Sequence, residues 1–240
     1  MKKIIIIFIL TWSYTLNAEM GVDQSLQLIL PRAETLRRAI EICKEKEFSH
    51  FFITKISYKD QRGQSLLFKG VPGDKIGVLL SETITQELGS PLGTMDIEFE
   101  SIFYKEPPRD PLAIKGNYEC NATNVFQPQQ LKSEFQILDQ STQIIFSITS
   151  TISRAYKICQ ERNFTHFLVK KITYSDERGQ SLLFEGIQEA ENGVLISERI
   201  IKSFESPVGI ATADFEVFFF RETPCDPLAI VVGEILGSLN

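Results

Sequence analysis

The sequence predicts an α+β fold built twice in tandem, on three observations: a gapless internal repeat, a helical apolar stripe in each copy, and an alternating strand near each copy's end. Residues 22 to 114 return as residues 138 to 230 with every number raised by 116. Val22-Asp23-Gln24-Ser25 recurs as Leu138-Asp139-Gln140-Ser141, and Asp110-Pro111-Leu112-Ala113-Ile114 recurs unchanged as Asp226-Pro227-Leu228-Ala229-Ile230. About half of the paired positions are identical, so one fold is expected for both copies. Two copies are too few for a solenoid. The expected arrangement is two equivalent domains packed face to face as a pseudo-dimer, as in a homodimer fused into one chain. The expected domains are a signal peptide over 1–18, a first repeat domain over 19–114, a polar linker over 115–137 and a second repeat domain over 138–240.

Each copy is read as strand, helix, strand, strand, short helix, strand. The alternation Leu26-Gln27-Leu28-Ile29-Leu30, matched by Thr142-Gln143-Ile144-Ile145-Phe146, predicts an opening strand. Apolar residues three and four apart, Leu36, Ala39 and Cys43 or Ile152, Ala155 and Cys159, predict a helix that Thr35 or Thr151 caps. Aromatic and β-branched residues over 48 to 58 and 164 to 174 predict a strand. Asp60-Gln61-Arg62-Gly63 and Asp176-Glu177-Arg178-Gly179 have turn chemistry, with returning strands over 65 to 71 and 181 to 187. Leu80, Ile84 and Leu88 stand four apart, as do Ile196, Ile200 and Phe204, which favours a short helix, although Gly77-Val78-Leu79-Leu80 also suits a strand. Ser90-Pro91 and Ser206-Pro207 end that element. In the last strand Asp96, Glu98 and Glu100 alternate with Ile97, Phe99 and Ser101, and Thr212, Asp214 and Glu216 alternate with Ala213, Phe215 and Val217, so one face is wet and the other packs. A helix between the first two strands implies a parallel pair with a right-handed crossover, and helices on one face of the sheet.

Met1-Lys2-Lys3, the apolar run over 4 to 10 and the polar stretch ending at Ala18 follow the three-part plan of a secretory signal, with cleavage expected after Ala18. The apolar run is too short to span a bilayer, which takes about twenty residues, so no stable membrane span is expected after signal removal. The lysines and isoleucine-rich core point to a bacterial exported protein, periplasmic or secreted. Loss of Lys2 and Lys3 takes the formal charge from −6 to −8. That acidic balance argues against nucleic acid and against an anionic membrane surface, both of which need clustered Lys and Arg. Asn121-Ala122-Thr123 in the linker matches a glycosylation acceptor.

Cys43 and Cys159 are repeat partners on the helical stripes and read as buried small hydrophobes. Cys120 lies in the linker and Cys225 replaces Arg109 of the first copy, so this unmatched pair is the expected disulfide in an oxidising compartment. The rival is a bridge from Cys43 to Cys159 across the pseudo-dimer.

Arg62 with Gln64, and Arg178 with Gln180, are the candidate ligand-binding residues: an arginine fork and an amide together suit a carboxylate or phosphate at two equivalent sites. The bland alternative is a local ion pair to Asp60 or Asp176. His50 and His166, the only histidines, are weak metal candidates because no close-spaced second ligand accompanies either one. The carboxylates of the last strand read as solvation of its wet face, and Glu82 and Glu198 as helix-start residues or substrate contacts. The run Phe218-Phe219-Phe220 reads as apolar surface for a partner or a domain interface. No Gly-x-Ser-x-Gly elbow, phosphate loop, His-Glu-x-x-His or Cys-x-x-Cys is present, and no cofactor is expected. The expected function is therefore an exported, non-enzymatic binding or envelope-associated protein with a protein partner. A small anionic-ligand binder with Arg62 and Arg178 converging between the repeats is the alternative, and a metal-dependent hydrolase using His50 and His166 is the second.

Overall fold

In the computed structural model the described residues are 24–88, 93–117, 140–204 and 207–232. They form helix α1 (Gln24–Lys46), strands β1 (His50–Lys59), β2 (Ser65–Lys69), β3 (Val78–Glu87), β4 (Thr94–Tyr104) and β5 (Ile114–Lys115), then helix α2 (Gln140–Arg162) and strands β6 (His166–Asp176), β7 (Ser181–Glu185), β8 (Val194–Ser203), β9 (Ile210–Phe220) and β10 (Ile230–Val231). The class is α+β, mostly antiparallel sheet with two helices.

The expected opening strand is the first third of each helix. Along α1 the buried residues Gln24, Gln27, Leu28, Thr35, Leu36, Ala39, Ile42 and Cys43 recur at helical spacing. Three of these are polar, so the stripe was hidden from a hydrophobic count, and the local alternation stood in its place. Thr35 and Thr151 are interior residues rather than caps; Thr151 Oγ1 donates to the Ser147 carbonyl at 2.8 Å. The helices end with Glu47 and Asn163 at φ of 56° and 57°. Phe48 N–H then reaches back to the Cys43 carbonyl and Phe164 N–H to that of Cys159, satisfying carbonyls the helix leaves open.

The expected short helices are the strands β3 and β8. A spacing of four serves a strand as well as a helix, because every second strand residue shares a face. Here Leu80, Glu82, Ile84 and Gln86 are half-buried while their neighbours are exposed, and β-branched Thr83-Ile84-Thr85 and Ile200-Ile201 favour the extended form.

Every strand pairing among the described residues is antiparallel, so the expected parallel crossover is absent from them. Eight strands run in the order β3-β4-β1-β2-β7-β6-β9-β8, with β5 added to β1 and β10 to β6. The halves meet edge to edge rather than face to face: β2 pairs with β7 in a register that sets Leu67 opposite Leu183, its own repeat partner. Each half's β3 or β8 is thereby pushed to an outer edge of one sheet.

One main core joins both helices to one face of that sheet, through Phe51, Ile56, Phe68 and Phe99 in the first half and Phe167, Ile172, Phe184 and Phe215 in the second. Two smaller clusters lie on alternate strand positions. Phe52, Ile102, Tyr104 and Leu112 pack with Val208 from the other half; Leu168, Phe218, Phe220 and Leu228 pack with Leu88 from the other half. The run Phe218-Phe219-Phe220 is thus buried on both faces and presents no free apolar surface. Cys43 and Cys159 are buried free thiols, as read for the helical stripe, and form no bridge to each other. Cys225 is exposed and has no disulfide partner among the described residues, and Cys120 lies outside them, as does the acceptor at Asn121.

Candidate functional site

Two glutamines that open the helices organise the junction of the halves. Along β1, β2 pairs with Lys55 to Lys59 and β5 with His50 and Phe51, which leaves Ile53 facing a gap where the β1–β4 register also shifts. Gln140 of the other half fills that gap. Its Oε1 accepts from Ile53 N–H at 2.8 Å and its Nε2 donates to the Ile53 carbonyl at 2.5 Å. Gln24 does the same to Val169, accepting from its N–H and donating to its carbonyl, both at 2.7 Å. A side-chain amide carries one donor face and one acceptor face, so it substitutes for a missing strand residue. Both glutamines are fully buried. Gly70 and Gly186 leave room for them: a Cβ there would stand 2.2 Å from the Ile53 or Val169 carbonyl oxygen.

The predicted ligand residues surround these plugs. Gln64 is fully buried and donates to Gln27 Oε1 at 2.5 Å while accepting from Gln24 Nε2 at 2.8 Å. Gln180, also fully buried, accepts from Gln140 and donates to Asp176. Asp60 accepts from the backbone N–H groups of Arg62 and Gln64, closing the turn. The arginines do not pair with these turn aspartates but cross to the other half. Arg62 donates both amino groups to Asp226, at 3.2 and 2.8 Å, and Arg178 grips Asp110 in the same two-pronged way while its Nε donates to the Val71 carbonyl at 2.8 Å. The two guanidinium groups therefore go to two separate carboxylates rather than to one shared point.

Asp110 is the most enclosed of these acids. Burial alone would raise its pKa, but the Arg178 hydrogen bond and the N–H groups of Gly73 and Leu112 outweigh it and hold the carboxyl below the usual carboxylate range. Both Asp-Pro segments do shape turns, through Leu112 N–H to Asp110 and Leu228 N–H to Asp226.

His50 and His166 open β1 and β6, each with Nδ1 beside the preceding hydroxyl, Ser49 Oγ at 3.0 Å and Thr165 Oγ1 at 2.8 Å. Burial and the neighbouring Lys115 lower the His50 pKa below its ordinary value. Among the described residues no three His, Cys, Asp or Glu side chains are grouped to hold a metal ion. Glu82 and Glu198 sit on strands, not at helix starts, and each clamps a helix to the sheet edge: Arg38 meets Glu82 at 2.7 and 3.1 Å, and Arg154 meets Glu198 at 2.6 and 2.9 Å. The last-strand acids face water with cationic neighbours: Lys55 near Glu98, Lys170 near Glu216, and Arg199 near Asp214.

The outer edges have the opposite character. Strands β3 and β8 are ten residues long, pair on one side only among the described residues, and contain no proline. Leu79 and Leu195 stand 59% and 44% exposed there, followed by Ser81 or Ser197. An edge of this kind presents unpaired N–H and C=O groups in strand geometry, ready to receive a further strand. Among the described residues no helix is long and apolar enough to cross a membrane.

Gln24, Gln140, Gly70 and Gly186 escaped sequence reasoning. Their signal was identity between copies, but identity alone does not say which half the side chain serves. No protein-family model, curated protein or solved structure matches the chain.

Proposed function

We propose that the chain is an exported, non-enzymatic binding protein made of two equivalent domains, and that it engages protein partners by strand addition at β3 and β8. The observation that carries this reading is the contrast between seam and edges. The seam consumes its own polar groups in reciprocal contacts, whereas each ten-residue outer strand has one side without a strand partner among the described residues. The occupant that fits is an extended polypeptide segment whose main chain pairs with the edge. Its alternate side chains would be small and polar opposite Ser81 and Ser197, and apolar beside Leu79 and Leu195. Two such edges on one chain give avidity to a partner that offers two segments.

Signal cleavage after Ala18 and a Cys120–Cys225 bond belong to this proposal. Cys225 lies at the surface, where no burial opposes such a bond. An anionic ligand at Arg62 and Arg178 is disfavoured on physical grounds, since it would have to displace Asp226 and Asp110.

A photo-crosslinking residue placed at Thr83 or Arg199 in the native host tests the reading. Expected is a discrete partner adduct from both edge positions, lost when Leu79→Lys and Leu195→Lys are added, and none from a control at Glu41 on the helix face. Equal adducts from the control, or none from either edge, would overturn it.

A further inference from the structure

The two halves differ at one place that the repeat makes easy to see. In the first half the segment between β2 and β3 is tied down over the start of the Asp-Pro turn. The Asp74 carboxylate accepts from Ile76 N–H at 3.0 Å and Arg109 N–H at 3.5 Å, and Tyr104 Oη donates to the Asp74 carbonyl at 2.6 Å. Gly73 N–H adds a bond to Asp110 at 2.7 Å. Raised by 116, Asp74, Tyr104 and Arg109 become Ala190, Phe220 and Cys225. Alanine has no carboxylate and phenylalanine no hydroxyl, so the ties made by the Asp74 carboxylate and the Tyr104 hydroxyl cannot form in the second half, and the corresponding bonds are missing among its described residues.

What stands there is a cleft of about 660 Å³ between the β7–β8 segment, the end of β9 and the Asp226-Pro227 turn, with Arg62 of the first half at its side. A volume of that order suits a small organic ligand. Val194, Pro224 and Pro227 supply apolar wall over the buried Phe164 and Phe220. Arg62 and Asp226 neutralise each other. Outside that pair the lining carries three carboxylates, Glu189, Glu191 and Glu222, against one guanidinium, Arg221, which stacks over Phe164 at 5.8 Å. None of the three glutamates has an ion-pair partner among the described residues. In the first half the positions matching Glu189, Glu191 and Glu222 are Gly73, Lys75 and Glu106, so two of the three rim acids belong to the open cleft alone.

We infer that this cleft is a binding site for a small organic cation with an apolar body, an aryl or alkyl ammonium, and that only the second half carries it. The apolar wall takes the body, and the glutamate rim takes the ammonium group. This site is separate from the strand edges and stands or falls without them.

Isothermal titration of the mature protein with three probes of one shape tests it: 2-naphthylmethylammonium, neutral 2-naphthylmethanol and anionic 2-naphthoate. Expected is saturable binding of one ammonium per chain, with the neutral and anionic probes weaker by about tenfold or more, as loss of one charge contact implies. The double variant Ala190→Asp with Phe220→Tyr restores the ties of the first half and is expected to reduce ammonium binding about tenfold. The double variant Glu191→Gln with Glu222→Gln keeps the cleft open and is expected to erase the preference for the cation. Equal affinity for the three probes, stronger binding of naphthoate, or no binding of any probe would overturn the inference. So would ammonium binding unchanged in the Glu-to-Gln variant or in a folded Ala190→Asp, Phe220→Tyr variant.

Discussion

Replacing Gln140 by methionine keeps the side chain's length and bulk but removes both of its polar faces. Ile53 N–H and C=O then remain in a fully buried gap with no partner, because β2 and β5 stop short on either side of it. An unsatisfied buried backbone group costs about 1–3 kcal/mol, so the pair costs about 2–6 kcal/mol. Gln180 loses one donor as well. For a chain of this size, 1 kcal/mol shifts the melting temperature by about 2–4 °C, so a fall on the order of 10 °C is expected. Gln24→Met, acting on Val169, is expected to cost the same, because its contacts are the same. Urea unfolding of the mature protein followed by far-ultraviolet circular dichroism measures both. A loss below about 0.5 kcal/mol in both variants, within the range of ordinary surface changes, would show that the glutamines do not complete the sheet.

Four further outcomes follow from the same contacts. Gly70→Ala and Gly186→Ala place a Cβ 2.2 Å from a carbonyl oxygen, so each should destabilise by more than about 3 kcal/mol, or yield insoluble chain, in the same denaturation assay. Arg178→Ala strands the fully enclosed Asp110 carboxylate and should cost about 3–5 kcal/mol, and Arg62→Ala should cost less because Arg62 and Asp226 are 25% and 17% exposed. Asp110 is held below its unfolded pKa of about 3.9, so its contribution is present above that value and lost as pH falls through the folded value; the urea midpoint should drop below pH 4, and less steeply in Arg178→Ala. Burial pushes the thiols of Cys43 and Cys159 up to about 11 and about 12, so after reduction at pH 8 iodoacetamide should modify Cys225 quickly and leave those two unmodified; equal rates would contradict it.

The sequence carried the hairpins β1–β2 and β6–β7, the wet and dry faces of β4 and β9, and the helical stripe from Leu36 to Cys43. These are local patterns whose period matches one element only. It misled where two periods coincide, as at Leu80, Ile84 and Leu88, and where polar residues sit in a buried stripe, as at Gln24, Gln27 and Thr35. Arg62 and Arg178 stood out in the turns, but their partners could not be read from either copy. Asp226 and Asp110 lie across a junction created by β2 pairing with β7, and nothing in one copy reports the edge it will offer to the other. For the same reason Phe218-Phe219-Phe220 resembled a surface patch: the residues that cover its second face, Leu228 and Leu88, lie outside its own strand and, for Leu88, in the other half.

Hydrogen–deuterium exchange of the mature protein tests closed seam and open edges together. The account predicts that amides of Ser65–Lys69 and Ser181–Glu185 exchange as slowly as those of β1 and β6, because each strand is paired on both sides. Alternate amides of Val78–Glu87 and Val194–Ser203, directed away from the sheet, should exchange quickly. Fast exchange along β2 and β7 with uniform protection of β3 and β8 would contradict it, since the halves would then meet elsewhere and the edges offered for binding would already be covered.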